Sequence, residues 1–217
     1  MEQSAKKTGK TYEMDMCSGA LFPKIVAFAV PLILSGILQL LFNAADIIVV
    51  GHFAGRESLA AVGSTTALIN LMINVFVGLS IGANVLVAQY SGAKKLKDLE
   101  ETVHTAMMIA LAGGFLLIFV GVFFSGPMLG LMGTPDDVLP LAALYLKIYF
   151  IGMPATLTYN FGAAILRAVG DTRRPLYFLL FAGAVNVVLN LVFVIVFSMG
   201  VAGVATATVV SECISAV

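Results

Sequence analysis

The segment PLILSGILQLLFNAADIIVV, residues 31–50, indicates the class of fold to which this 217-residue chain belongs. It contains no basic residue and only one acidic residue, Asp46, and most of its other side chains are apolar. An α-helix needs about 20 mostly apolar residues to cross the hydrocarbon core of a bilayer. We therefore predict that this segment is a transmembrane helix.

The composition of the whole chain favours the same class. Hydrophobic residues make up 60% of the chain, charged residues make up 11%, and the mean hydropathy is +1.02. A soluble domain is usually about a quarter charged. The formal net charge is zero, so nothing in the charge balance favours a nucleic-acid partner. Two distant cysteines, Cys17 and Cys213, predict neither a disulfide framework nor a metal site.

Five apolar segments reach the length of a membrane crossing, namely residues 25–50, 59–87, 103–124, 139–166 and 176–197. A sixth begins near Val201 and is still apolar at Val217. We predict an all-α membrane protein with a polar N-terminal segment, residues 1–20, and a six-helix transmembrane bundle, residues 21–217. The sixth helix is either short or incomplete, and we favour the hypothesis that the sequence is a fragment.

Basic residues alternate between the ends of the predicted helices. Ten of the 12 lie at the N-terminus or in the two loops on the same side of the bundle: Lys6, Lys7, Lys10, Lys24, Lys94, Lys95, Lys97, Arg167, Arg173 and Arg174. Cytoplasmic loops carry an excess of lysine and arginine. We therefore predict a multi-pass protein of the cytoplasmic membrane with its N-terminus in the cytoplasm.

Polar side chains recur at helical spacing within the apolar segments, which places them on one face of each helix. The first segment carries such a face at Ser35, Gln39, Asn43 and Asp46. Four other segments carry similar faces, at Asn70, Asn74, Asn84, Tyr145, Tyr149, Thr156, Tyr159, Asn160, Asn186, Asn190, Thr208, Ser211, Glu212 and Ser215. Interhelical hydrogen bonding explains any one of them. Five together favour a bundle around a hydrated cavity.

Asp46 has the strongest implication of these polar residues. A carboxylate well inside a span costs on the order of 3 kcal/mol or more, so it usually faces a pathway or a partner. If the first span ends by Asn43, Asp46 is interfacial instead, but the polar face that leads to it favours the cavity. There it could bind a proton or, with amide and hydroxyl oxygens, a hard cation such as sodium. The depth of Glu212 is not defined by the sequence.

Backbone signals add two expectations. Pro31 interrupts the first helix, where it is either a static kink or a hinge. Small residues at Gly51-x-x-x-Gly55, at Gly78-x-x-x-Gly82 and in GVAGVATAT predict close approach of helix backbones.

Enzyme motifs are scarce in the sequence. His52 and His104 are the only histidines, and they fall on opposite sides of the predicted bundle. The sequence contains no glycine-rich phosphate loop and no His/Cys/carboxylate cluster with metal-ligand spacing. We therefore expect neither an enzyme nor a bound cofactor.

Several blocks in order resemble the multidrug and toxic compound extrusion (MATE) family of cation-coupled transporters. They are PLILSGILQLLFNAADIIVVGHFAGRESLAAVG, GLSIGANVLVAQYSGAKK, ILRAVGDTRRP and NVVLNLVFVIVFSMGVAGVATAT, within about residues 21–211. The resemblance implies one amino-terminal six-helix lobe of a twelve-helix, two-lobed transporter, whose carboxy-terminal lobe is missing here. It also implies sodium- or proton-coupled antiport that exports amphipathic or cationic drugs and toxic compounds across the lipid bilayer.

The same resemblance implies a cation site on Asp46, Asn186, Asn190 and Thr208. The family commonly has an acidic residue at the position of Asn190, and an asparagine there keeps an oxygen but carries no charge. The hypothesis is that this site, with one formal negative charge, binds its cation more weakly or relies on protonation of Asp46 alone. The residues expected to line the substrate cavity are Gln39, Asn43, Tyr145 and Asn160, and Pro31 is the candidate hinge.

Two alternatives stay open at this stage. Flippases of lipid-linked oligosaccharides share the architecture, but they favour a basic central cavity, whereas these spans hold almost no basic side chain besides Lys147. A truncated membrane protein that does not transport is the second alternative.

Overall fold

Long apolar segments separated by short turns form helices throughout residues 20–216, the part of the chain that the computed structural model describes. Residues 1–19 and Val217 lie outside it, and with them Lys6, Lys7 and Lys10 of the predicted basic N-terminus. The helices are α1 (Leu21–Val49), α2 (Gly55–Gly92), α3 (Leu96–Leu131), α4 (Leu139–Ile151), α5 (Met153–Ala168), α6 (Arg173–Leu191) and α7 (Gly200–Ala216). Two π-helical segments, Val50–Ala54 and Val192–Val196, extend α1 and α6. No β-strand occurs in the described part, so the predicted all-α class is confirmed.

The chain from Leu21 to Gly92 is helical almost without interruption over 72 residues. A straight helix of that length would extend for roughly 108 Å, several times the thickness of a bilayer core. Gly55 breaks it, because its φ of 86° lies in the left-handed region that side chains other than glycine rarely adopt. Helices α1 and α2, of 29 and 38 residues, are each long enough to cross a bilayer core, and two separate crossings here stay a prediction.

Helices α4 and α5 form one broken span. Their axes differ by 52° across Gly152, and Pro154 lies in the first turn of α5, where a missing N–H removes no helical hydrogen bond. The bend lies within the predicted crossing over residues 139–166, and that the two helices make a single crossing stays a prediction. By length and composition, α3 and the segment Arg173–Val196 can also cross a membrane, whereas α7 is a shorter apolar helix.

Close packing of backbones occurs where α3 meets α4 and α5. A Cβ atom on Gly121 would lie 2.2 Å from the Cβ of Phe150, and one on Gly114 would lie 2.4 Å from the Cα of Pro154. Real carbon atoms do not approach so closely, and only glycine permits these contacts. We call this contact between α3 and the broken span the glycine seam.

The predicted close approach at Gly78 and Gly82 is wrong, since a Cβ on either glycine would meet no atom within 4 Å. The prediction for GVAGVATAT is correct at Gly203, whose added Cβ would lie 3.0 Å from side chains before it in the chain. Gly55 contributes a chain reversal rather than a packing contact. Small residues permit a close approach of helix backbones but do not require one. Whether it occurs depends on the position of the neighbouring helix.

Helix α6 packs between α1 and α7. The ring of Phe42 occupies the space beside Gly183, where a Cβ would lie only 1.9 Å from the ring. This contact brings the polar face of α1 against the asparagines of α6.

Asp171 fixes the start of α6. Its side chain is fully buried, and Oδ1 accepts hydrogen bonds from the backbone N–H groups of Arg173 and Arg174, each at 3.1 Å. Oδ2 lies 3.1 Å from the Nε atom of Arg174. The carboxylate therefore satisfies helix N–H groups that have no partner within the helix.

Candidate cation and substrate cavity

A cavity of about 360 Å³ opens between the helices on the side of the lobe away from α3. Its polar lining comes from six of the seven helices and consists of Gln39, Asn43, Asp46, Asn70, Tyr149, Thr156, Tyr159, Asn160, Asn186, Thr208, Ser211, Glu212 and Ser215. The apolar part of the lining includes Phe42, Ile73, Val77 and Leu179. Most residues of the polar faces predicted from sequence spacing line this one cavity, but Ser35, Asn74, Asn84, Tyr145 and Asn190 do not.

Asp46 lies within α1, which continues to Val49, so it belongs to a regular helical turn and not to a loop. Its carboxylate lines the cavity, and Oδ1 accepts a hydrogen bond from the side-chain amide of Asn190. The sequence left two alternatives for Asp46, an interfacial position and a position that faces a cavity. The structure agrees with the second.

The residues of the implied cation site form a continuous hydrogen-bonded chain. Asn190 also donates through Nδ2 to Oδ1 of Asn186, at 3.2 Å, and Asn186 donates to Oγ1 of Thr208, at 3.4 Å. Thr208 donates in turn to the backbone carbonyl of Val204, at 3.0 Å. We call Asp46, Asn186, Asn190 and Thr208 the cation-site cluster.

One oxygen of the cation-site cluster has no hydrogen-bond donor. Asn190 is completely buried, and its Oδ1 atom has no hydrogen-bond partner within residues 20–216. Leaving a buried acceptor unsatisfied costs about 1–3 kcal/mol. Asn190 itself is not part of the cavity lining, but it contacts Asp46 and Asn186, which are.

Basic side chains are absent from the cavity lining in the part of the chain that the structure describes. Ion pairs in that part join Lys95 to Asp98, Lys97 to Glu101, His104 to Glu100 and Arg174 to Asp171. None of them includes a carboxylate of the cavity. Any charge on those carboxylates therefore has no compensating cation from the lining.

Glu212 is the functional candidate that the sequence analysis did not place. It lies on α7, lines the same cavity as Asp46 and Tyr149, and accepts a hydrogen bond from the hydroxyl group of Thr156. The cation-site cluster keeps its single carboxylate, but the cavity around it contains a second. The spacing predicted that Thr208 and Glu212 lie on one polar face, but it did not define the depth of Glu212.

The residues expected to line the substrate cavity divide into two groups. Gln39, Asn43 and Asn160 line it. Tyr145 does not, since it is buried behind Tyr149, with the two rings stacked and their centroids 6.0 Å apart. Tyr149 therefore presents the aromatic surface that Tyr145 was expected to present.

Pro31 lies outside the lining, inside the unbroken helix α1. It is buried, and its carbonyl accepts a hydrogen bond from the hydroxyl of Ser35 at 2.8 Å.

Comparison with known proteins gives consistent matches. The model of the MatE family matches residues 31–192. The probable multidrug resistance protein YpnP of Bacillus subtilis is 32% identical over 203 residues, which are 93% of this chain and 45% of the relative. The probable multidrug resistance protein YoeA of the same organism is 34% identical over 188 residues, 85% of this chain and 41% of the relative. The chain thus spans less than half the length of these relatives.

Solved structures agree with this. A crystal structure of MATE in the bent conformation has a TM-score of 0.84 at 27% identity, and the match covers 91% of this chain and 44% of that one. A MATE family multidrug transporter gives a TM-score of 0.83 in its outward-facing conformation, with 27% identity and coverage of 89% and 43%. The sequence match shows that this multi-pass membrane chain belongs to the MatE family. Its apolar helices and the length of the structural match show that it corresponds to the amino-terminal lobe of the two-lobed fold of that family.

Proposed function

We propose that this chain is the amino-terminal lobe of an antiporter that exports amphipathic or cationic organic compounds and is driven by inward movement of sodium ions or protons. The curated relatives are called multidrug resistance proteins, and the chain spans less than half of their length. The transport activity is therefore assigned to the complete gene product that contains these residues. The process is transport and involves no chemical change in the substrate.

The cation-site cluster is the observation that carries this proposal. It combines the carboxylate of Asp46, the unsatisfied Oδ1 of Asn190 and the oxygens of Asn186 and Thr208. Oxygen donors of this kind suit a hard cation such as sodium. A proton on Asp46 would remove the same uncompensated charge. Both are consistent with the family's use of cation gradients, and the cluster contains no basic side chain.

Coupling requires that the cation bind the inward-open and outward-open states with different affinity. The cluster spans α1, α6 and α7, so movement of one helix relative to the others would change its geometry. Pro31 lies about four turns before Asp46 on α1 and is our candidate hinge for that movement. If Pro31→Ala leaves both cation binding and efflux unchanged, the proline is only a static feature of the helix.

We also propose the cytoplasmic membrane as the location, with the N-terminus in the cytoplasm. In support, Lys94, Lys95 and Lys97 lie at the turn between α2 and α3, two crossings from the N-terminus. Arg167 and Arg173 lie at the turn between α5 and α6, two further crossings on. Labelling of single cysteines in those turns from the outside of intact cells tests this, and ready labelling there would refute the orientation.

A flippase of lipid-linked oligosaccharides is not supported by a comparable observation. Such a substrate carries phosphate groups, and the lining of the cavity in residues 20–216 contributes no lysine or arginine to bind them.

Efflux by Asp46→Asn tests the proposed function. Asparagine keeps the hydrogen bond from Asn190 but cannot take up a proton and carries no charge. We expect gradient-driven efflux of ethidium from vesicles that contain the complete gene product to fall at least about tenfold, a loss of 1.4 kcal/mol or more. Asp137→Asn, in an exposed turn, is the matched control and should transport normally. Coupled efflux at the wild-type rate in Asp46→Asn would refute the proposal.

A further inference from the structure

The two carboxylates of the cavity are held by different helices. Asp46, on α1, is bonded to Asn190 on α6. Glu212, on α7, accepts a hydrogen bond from Thr156 on α5. The sets of hydrogen-bonding partners do not overlap, although both carboxylates line one cavity. The geometry therefore defines two subsites.

The surroundings of Glu212 differ from those of the cation-site cluster. Its hydrogen-bond donor is the hydroxyl group of Thr156, which brings no positive charge. In the part of the chain described here, neither the lining nor any ion pair supplies a basic side chain to it. Burial of an unpaired charge is costly, so this arrangement favours a ligand that brings a positive group.

The cavity is too large for a bare ion alone. Its volume of about 360 Å³ lies in the range of small-molecule sites, about 300–1,000 Å³. Phe42, Ile73, Val77 and Leu179 add an apolar surface to the same lining. A ligand that matches both features has an apolar body and one positive group.

We propose that Glu212 binds the positive group of an organic cation substrate, while the cation-site cluster binds the coupling ion. This assignment rests on the proposed function, since it names the residue that selects the substrate within the same cavity. In this assignment the Glu212 carboxylate binds the substrate and the Asp46 carboxylate binds the coupling ion. It also explains why an acidic residue lies on α7 of a lobe whose α6 carries Asn190.

Tyr149 supports this assignment of the two carboxylates. Its side chain lines the same cavity as Glu212, and its ring stacks on that of Tyr145. A tyrosine ring next to a carboxylate suits a quaternary or aromatic cation, because cations are attracted to ring faces. The cation-site cluster instead offers amide and hydroxyl oxygens at close spacing, which suit a small ion. Thr156 is a positioning residue that orients Glu212.

The test compares binding of two probes to the complete gene product in lipid nanodiscs. Ethidium, an aromatic monocation whose fluorescence changes on binding, reports the substrate subsite, and radioactive sodium reports the cation-site cluster. Glu212→Gln keeps the shape of the side chain and removes the charge, so ethidium affinity should fall by about tenfold to a hundredfold. Sodium affinity should stay within about twofold of wild type. Phenanthridine, the neutral ring system, should bind both proteins equally.

Three controls make the result specific. Asp46→Asn should show the reverse pattern, with sodium binding lost and ethidium affinity largely kept. Thr156→Val, which removes the orienting hydroxyl, should weaken ethidium less than Glu212→Gln does, and Thr156→Ser should restore it. Asp137→Asn, with its exposed carboxylate, should behave as wild type for both probes.

Two results would overturn the assignment. If Glu212→Gln binds ethidium as tightly as wild type, Glu212 does not select the substrate. If it loses sodium and keeps ethidium, Glu212 belongs to the coupling site. Failure of the proposed function has a different signature, namely wild-type protein that neither binds ethidium nor couples its efflux to a cation gradient.

Discussion

The glycine seam and the cation-site cluster are both buried in one lobe, but their buried groups are packed differently. In the seam, Gly114 and Gly121 bring α3 against the broken span so closely that no side chain fits between them. In the cluster, Asn190 is just as completely buried, yet one of its oxygens has no partner. Helices in a membrane associate through close packing and hydrogen bonds, since lipid is as apolar as leucine. The seam follows that rule through close packing, whereas the cluster departs from it by leaving one buried acceptor without a donor.

Helix α3 makes the difference clear, because none of its residues lines the cavity and it packs along both α4 and α5. The cavity lies among helices that contribute polar side chains. We infer that stability and binding are assigned to separate regions, so substitutions in one should leave the other nearly unchanged.

Gly121→Leu should have the largest effect on stability. The Cβ position is already 2.2 Å from Phe150, so the helices must separate, at an expected cost of more than about 2 kcal/mol. Gly126→Leu is the matched control on the same helix, where a Cβ would meet nothing within 4 Å. Thermal unfolding in detergent measures both. Equal melting temperatures for the two variants would contradict the tight seam.

Asp171→Ala should have the next largest effect on stability. It tests a buried polar side chain that stabilises the start of a helix. The substitution leaves the N–H groups of Arg173 and Arg174 without their acceptor and removes the ion pair. We expect a loss of about 1–3 kcal/mol in unfolding free energy. Asp137→Ala, at an exposed position in another turn, should lose little. If both variants have the unfolding free energy of the wild type, Asp171 does not stabilise the start of α6.

Asp46→Asn should have the smallest effect on stability. Asparagine can still accept the hydrogen bond from Asn190, and a partly desolvated charge is removed. The unfolding free energy should stay within about 1 kcal/mol of the wild-type value or rise slightly, as expected where function and stability compete. A loss as large as that of Gly121→Leu would show that Asp46 is a structural residue, and the separation of the two regions would fail.

The helices were predictable because their length and spacing are local properties of the chain. Apolar segments of about 20 residues define the crossings, and Gly55 and Pro154 mark a break and a bend that the backbone requires. Packing partners were not predictable in the same way. Gly78 and Gly82 have the spacing of a packing motif but meet no neighbour, whereas Gly114 and Gly121 lack that spacing and form the seam.

The candidate site was also predictable only in part. Spacing places Asp46, Asn186 and Asn190 on the inner faces of their helices, and the resemblance to a family associates them. Which side chains meet across helices depends on helix rotation and depth, and sequence spacing does not define these. That is why Tyr149 lines the cavity in place of Tyr145, and why Glu212 was left without a role.

Cation binding by the complete gene product, in the wild type and in two variants, tests the central claim most directly. Radioactive sodium and a pH indicator in one titration report sodium bound and protons exchanged. We expect saturable binding of one or the other in the wild type, a loss of at least about tenfold in Asp46→Asn, and tighter sodium binding in Asn190→Asp, where a second charge joins the cluster. Binding that is the same in all three proteins would contradict a cation site built on Asp46 and Asn190.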